Sequence, residues 1–238
     1  MQADLALLDS VDWRVQRGEC WALRGHNGAG KSTLVRVLLG ERQLTAGDVT
    51  VWGQPPPSRA AADDAGGGDE PEFCVLRSEL HEGVGYVSTE QHLRFALAPS
   101  ARRASVLAVV RSGLGAAAAA GADDVVKETA ALLEIEGLLE RPWGEVSQGE
   151  QQLALLGRAL VGAPPLLVMD EVCQGLDARR RKRVLRILRE ICATTGAALV
   201  AITHHEDELG GLGCLTHELE LRKGRVEYSG SWRESKAL

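Results

Sequence analysis

Residues Gly25-His26-Asn27-Gly28-Ala29-Gly30-Lys31-Ser32, followed at once by Thr33, read G-x-x-x-x-G-K-S and constrain this chain more than any other stretch. Before them, Glu19 to Arg24 is short and largely apolar, as a strand entering a core should be. After them, Leu34, Val35, Val37, Leu38 and Leu39 carry the apolar face of a helix that stops at Gly40. Strand, Gly-rich turn and helix is the setting in which such a loop closes around phosphate. The glycines let successive backbone N–H groups point inward at the positive end of the new helix. Lys31 is placed to reach the β- and γ-phosphates of a nucleotide, and the Ser32 hydroxyl to take one Mg²⁺ position. A Gly-rich turn with a chance Lys-Ser is the poorer reading of this stretch.

Composition sets the limits. The chain has 238 residues, 45% hydrophobic and 25% charged, which suits one α/β domain with room for a subdomain. A net charge of −6 gives no global basic field for nucleic acid. Cys20, Cys74, Cys173, Cys192 and Cys214 are scattered and lack C-x-x-C spacing, so they read as reduced core thiols, neither a zinc site nor a disulfide framework. No run of eighteen or more apolar residues occurs, and the N-terminus has the layout of neither a secretory signal nor a transit peptide. The expectation is a soluble protein in a reducing compartment.

In chain order, Val11 to Val15 alternates like an edge strand, and Val49 to Gly53 reads as another strand with a glycine stop. Gln54 to Glu72 is rich in Pro, Ala, Asp and Gly and has almost nothing to bury, so a disordered insertion in a surface loop is expected. Val84 to Ser88 is a strand. A helical, Ala-rich region follows over about 91–145, broken near Gly113 to Gly121 and resuming at Val125 to Leu139. Ser147 with Glu150 fits a capping box opening a helix through Val161. Leu166 to Met169 is an apolar run typical of a central parallel strand, ending in Asp170-Glu171. A helix over Ala178 to Cys192, a buried strand over Ala198 to Thr203, and a hairpin of Glu218 to Leu221 with Val226 to Tyr228 complete the pattern. Alternating strands and helices around a phosphate loop predict an α/β fold with a mainly parallel sheet. Asp170, at the carboxyl end of its strand, suits Mg²⁺, and Glu171 suits the activation of an attacking water.

Five motifs in one order make the chain resemble an ATP-binding cassette (ABC) ATPase. Gly25 to Ser32 matches the Walker A loop. Val146-Ser147-Gln148-Gly149-Glu150-Gln151-Gln152 resembles the L-S-G-G-Q signature, and Leu166 to Glu171 matches Walker B with its glutamate. Gly175-Leu176-Asp177 matches the D-loop, and Thr203-His204 the switch histidine. The wording of Ser147 to Leu155 and of Gln174 to Asp177 is similar to the molybdenum-transport-related ATP-binding proteins. The resemblance implies a P-loop NTPase fold with an antiparallel β subdomain and a helical signature subdomain, in one domain over residues 1–238. It implies ATP and Mg²⁺ as ligands, with Gly25, Asn27, Gly28, Ala29, Gly30, Lys31, Ser32 and Thr33 on the nucleotide and Glu171 and His204 catalytic. Ser147 and Gly149 are then presented by a second cassette, and opening and closing of the pair drives separate membrane-spanning subunits. The location implied is cytoplasmic or organelle-stromal, peripheral to a membrane through a partner.

Four departures bear on that reading. The family's glutamine after the Val84 to Ser88 strand is Thr89 here, with Gln91 two residues on as the candidate Mg²⁺ ligand in its place. The aromatic residue that stacks on adenine upstream of the loop is not visible, so either the start is truncated or adenine is held weakly; Trp13 and Trp21 read as core. Val172 replaces the proline after the glutamate, and the insertion is unexplained. Arg179 to Arg183 spreads around a helix and reads as a solvated surface, and His205 beside His204 does not suggest a zinc site. The competing functions are a soluble ABC ATPase acting on nucleic acid or ribosomes and a weakly hydrolytic ATP-binding regulator. The acidic balance argues against nucleic acid.

Overall fold

A computed structural model describes residues 7–55, 83–97, 102–114 and 121–233. The expected insertion lies outside these residues beyond Pro55, as does most of the Gly113 to Gly121 break. The strands are β1 (Cys20–Arg24), β2 (Val84–Val87), β3 (Leu166–Asp170), β4 (Ala198–Ile202), β5 (His217–Arg222) and β6 (Arg225–Ser231). The helices are α1 (Lys31–Leu38), α2 (Thr89–Leu97), α3 (Val106–Arg111), α4 (Ala122–Leu133), α5 (Gln148–Leu160), α6 (Ala178–Thr195) and α7 (Glu206–Leu212). The strands form one sheet in the order β2-β3-β4-β1-β5-β6, all parallel except β6, which runs antiparallel to β5.

The sequence explains this order. β4 is buried along its whole length, and its neighbours β1 and β3 are buried up to their last residues. That is the demand on central parallel strands covered on both faces, and Leu166 to Met169 and Ala198 to Ile202 meet it with unbroken apolar runs. One face of the sheet packs on α5 and α6 through Leu153, Leu156, Leu167, Leu188 and Leu199. The other packs on α1 through Leu34, Val35, Val168 and Val200. The chain leaves β1, crosses to β2 at the far edge and returns, so β1, β3 and β4 end along one rim. Open α/β sheets place ligands at such rims.

The region expected to be helical holds α2, α3 and α4, followed by a 3₁₀ turn over Glu136–Leu138. Its inner element is α5, started by the capping box: Ser147 accepts from the Glu150 N–H, and Glu150 accepts from the Ser147 N–H at 2.8 Å. Arg158 of α5 is 1% exposed and donates to Ser112 Oγ at 3.0 Å, fastening α5 to the turn after α3. Helix and strand approach closely at Gly85, where an added Cβ would stand 2.3 Å from the Ala159 carbonyl oxygen. Gly85→Ala is therefore expected to destabilise the fold by about 1–3 kcal/mol through overpacking. A lowered urea midpoint at unchanged slope is the measurement that checks it.

Two expected strands do not form among the described residues. Val11 to Val15 pairs with no strand among the described residues, although Val11, Trp13 and Val15 are half-buried and the residues between them exposed. These side chains pack on the core around Trp21, so the alternation records a segment lying along a core, not a ladder. Val49 to Gly53 reduces to one antiparallel bridge, Val51 to Gln54, around a turn with positive φ at Trp52 and Gly53. Among the described residues the antiparallel part of the sheet is β5 with β6, the expected hairpin.

Candidate active site

The rim of β1, β3 and β4 borders a cleft of about 630 Å³. Asn27, Gly28, Ala29, Gly30, Lys31, Ser32 and Thr33 line one side of it, and Asp170, Glu171, His204 and His205 another. Gly25 does not line it but shapes the loop. Its φ is +137°, and a Cβ there would meet the Leu221 carbonyl oxygen at 2.3 Å, a place only glycine fills. The Gly25 and His26 carbonyls accept hydrogen bonds from Lys31 Nζ at 2.6 and 3.3 Å, so the ammonium folds back over its own loop. Burial lowers the Lys31 pKa, while Asp170 and Glu171 act in the opposite sense.

Across from Lys31 stand the two carboxylates. Burial, reinforced by the charge of Glu171 and opposed by Lys31, pushes Asp170 up to about 6. A carboxyl so placed gains from a cation beside it. Ser32 and Asp170 offer the hard oxygen donors that Mg²⁺ prefers, so the residues present fit that ion. The raised value also fixes a sign. An acid whose folded-state pKa lies above its ordinary 3.8 costs the fold nothing at low pH and destabilises it as pH rises from about 4 through about 6. Without Mg²⁺, Asp170→Asn should match the wild type near pH 4. Above pH 6 it should exceed the wild type by about 2–3 kcal/mol, read from paired urea melts.

Glu171 takes a backbone conformation rare for a side-chain-bearing residue, with φ +55°, while its N–H donates to the Ile202 carbonyl at 2.9 Å. That kink sends its side chain along a different path from that of Asp170. Its carboxylate accepts from the His204 N–H at 3.1 Å and lies 3.7 Å from His204 Nε2. Thr203 donates to the buried Glu208 at 2.8 Å and sits 3.4 Å from Glu171, fixing the turn after β4. Asp170, Glu171 and His204, distant in sequence from the loop, are thus gathered beside it.

Besides Gly25, three expected residues are not in the cleft. Ser147 and Gly149 open α5, Ser147 exposed and Gly149 buried, and neither lines the cleft of its own chain. Gln91 requires a correction: it is 3% exposed and turned into the protein, so it is not placed to hold Mg²⁺. With its amide oriented to satisfy both ends, it donates to the Tyr86 carbonyl at 3.0 Å and accepts from Arg158 Nη1 at 2.7 Å. Its backbone N–H donates to Ser88 Oγ, and that first turn of α2 points residue 91 inward.

The residues that do reach the cleft from α2 are Thr89 and Glu90. Thr89 donates to Gln174 Oε1 at 2.6 Å, and Gln174 also lines the cleft. Nothing in the sequence pairs residues so far apart. Trp13 and Trp21 stack on each other edge to face, with ring centroids 5.6 Å apart, and do not line the cleft. Leu7 does, at 51% exposure, and Tyr86 is the one aromatic lining residue among those described. The run Arg179 to Arg183 meets acids of its own chain: Arg179 and Arg183 face Glu134, Arg180 faces Asp177 and Glu150, and Arg181 faces Asp207 and Glu208.

Comparison with known proteins places this cleft in a family. Residues 8–174 match the ABC transporter family. The ABC transporter ATP-binding protein ModF of Escherichia coli is 31% identical over 222 residues, spanning 91% of this chain and 41% of that protein. The chain thus spans about two fifths of the length of that relative. An uncharacterized ABC transporter ATP-binding protein, YmeB of Lactococcus lactis, is 30% identical over 94% of this chain and 80% of its own length. In fold, the chain is similar to the ATP-binding cassette MJ0796 in a dimeric post-hydrolysis state bound to ADP and Pi. The TM-score is 0.73 at 21% identity, over 95% of this chain and 91% of the other. The chain belongs to the ABC transporter family, and its fold is that of a solved ATP-binding cassette.

Proposed function

We propose that this chain is the ATP-binding and hydrolysing subunit of an ABC transporter, closing with a second cassette on ATP to drive separate membrane-spanning partners. The observation that carries this is the lining of the cleft. Phosphate loop, both carboxylates and His204 share it, while Ser147 and Gly149 stay outside. A second cassette offering the capped N-terminus of its α5 supplies the missing wall against the γ-phosphate.

In this mechanism Lys31 exchanges its two carbonyl acceptors for phosphate oxygens. Ser32 and Asp170 would hold Mg²⁺, which would supply neutralisation of phosphate charge. Glu171 orients the attacking water and takes its proton, and His204 keeps the carboxylate in position and contacts the γ-phosphate. The water oxygen bonds to the γ-phosphorus, the bridge to the β-phosphate breaks, and ADP and phosphate leave. The charge that held two cassettes together is then divided, and they part.

Gln174, anchored by Thr89, takes the positioning role of the glutamine the family carries after β2. Gln174→Ala is expected to lower turnover about tenfold with little change in ATP affinity, the effect of one hydrogen bond made in the transition state. Unchanged turnover, measured beside ATP binding, contradicts that role. The departures at Thr89 and at the adenine platform favour a second reading, a weakly hydrolytic regulator. ATP turnover no higher than that of Glu171→Gln would select it.

The wording of the signature and D-loop supports the molybdenum-transport-related branch. Among the similar proteins one is named for hemin import and another for Nod factor export, so the relatives do not fix a direction. Among the described residues no helix is long and apolar enough to cross a membrane. We place the chain at the cytoplasmic or organelle-stromal surface, held there by its partner. Affinity purification of Glu171→Gln with Mg-ATP tests the whole reading. A multispanning membrane protein should stay attached; ribosomal or nucleic-acid-bound material overturns it.

A further inference from the structure

Cys20, Cys192 and Cys214, scattered through the sequence, bring their three Sγ atoms within 4.8 Å of one another, far along β1 from the phosphate loop. Cys20 opens β1, and Cys192 lies in the last turns of α6. Cys214 follows Gly213, whose φ of +62° turns the chain at the end of α7. The frame is fixed on each side. The Cys20 N–H donates to Thr216 Oγ1 at 2.9 Å and its carbonyl accepts from the Thr216 N–H at 2.8 Å, while the Cys192 carbonyl accepts from the Gly196 N–H. Cys20 and Cys192 are buried in the core between sheet and helices, and Cys214 is half-buried at its edge, which leaves one side for entry.

We propose that these three cysteines form a binding site for a soft, thiophilic metal ion, Cu(I), bound by three sulfurs in a plane. Metal–sulfur bonds of about 2.3 Å at trigonal angles set sulfurs about 4 Å apart, a spacing the present cluster reaches with little movement. Among the described residues no His, Asp or Glu joins the group, so an ion that needs a fourth protein ligand, as structural Zn²⁺ does, is poorly served. A d¹⁰ ion content with three thiolates is well served. The three thiol protons pass to solvent as the ion enters. Copper arrives as Cu(I), so no electron is transferred.

The test titrates the reduced full chain, without oxygen, with Cu(I) delivered from its bicinchoninate complex. The expected result is one ion per chain with three sulfur neighbours in X-ray absorption. Cys214→Ser, at the half-buried edge, should lower affinity at least about a hundredfold while the circular dichroism melt stays in place. Cys214→Ala gives the same reading should serine disturb the fold. Equal affinity in wild type and variant, a two-sulfur linear site, or displacement of the copper by zinc each overturns the proposal. Because Cys74 and Cys173 are present in every form, only the difference at residue 214 counts.

Discussion

Glu171→Gln is expected to cut ATP turnover by about a hundred- to ten-thousandfold while leaving ATP binding intact, the range spanned by a general base removed from its transition state. The substitution is close to isosteric. The amide oxygen can still accept from the His204 N–H, as the carboxylate does at 3.1 Å, and a glutamine meets no more strain than a glutamate at φ +55°. What is lost is the negative charge that takes the proton of water. The variant should therefore melt like the wild type, bind Mg-ATP and accumulate as a pair of cassettes in sedimentation, since the charge that holds the pair is not divided. Loss of turnover without accumulation of a pair would separate the chemistry from the proposed two-cassette closure. His204→Ala should lower turnover as well, but it removes an imidazole from a side chain 51% exposed and leaves Glu171 its backbone contact.

The part of this site that could be read in the sequence is the part written in contiguous residues. Gly25 to Thr33 carries its own backbone logic, since glycines, a lysine and a hydroxyl at fixed offsets define a loop whatever surrounds it. Asp170-Glu171 and Thr203-His204 were legible because each ends an apolar run, and the ends of parallel strands fall on one rim. The capping box at Ser147 is likewise local, and its geometry is present. What failed depended on partners the sequence does not name. Val11 to Val15 has the alternation of a strand but no ladder neighbour among the described residues, and its period follows its burial against the core. Gln91 has the right residue type at nearly the right offset, yet the first turn of α2 rotates it inward to Tyr86 and Arg158. The contact between Thr89 and Gln174 and the meeting of three cysteines both join segments distant in sequence, and no spacing rule reaches that far.

Lys31→Met is expected to lower ATP affinity at least about a hundredfold and to leave the nucleotide-free protein as stable as before, or more so. The first effect follows from charge: one ammonium in a sheltered cleft meets two phosphate groups, and hydrogen bonds between ions contribute roughly 1.5–3 kcal/mol each. The second follows from the state of Lys31 without nucleotide. Its ammonium is buried with the Gly25 and His26 carbonyls as its acceptors among the described residues, and burial lowers its pKa, so keeping it charged costs the fold stability. Replacing a desolvated charge by an apolar chain of similar length removes that cost. Thermal melts with and without Mg-ATP read both effects together. The wild type should gain stability on adding nucleotide, as any ligand selective for the folded state requires, and the variant should gain almost none. A variant that melts well below the wild type before nucleotide is added would make Lys31 a structural residue. A variant that still gains stability from Mg-ATP would place the phosphates elsewhere than over this loop.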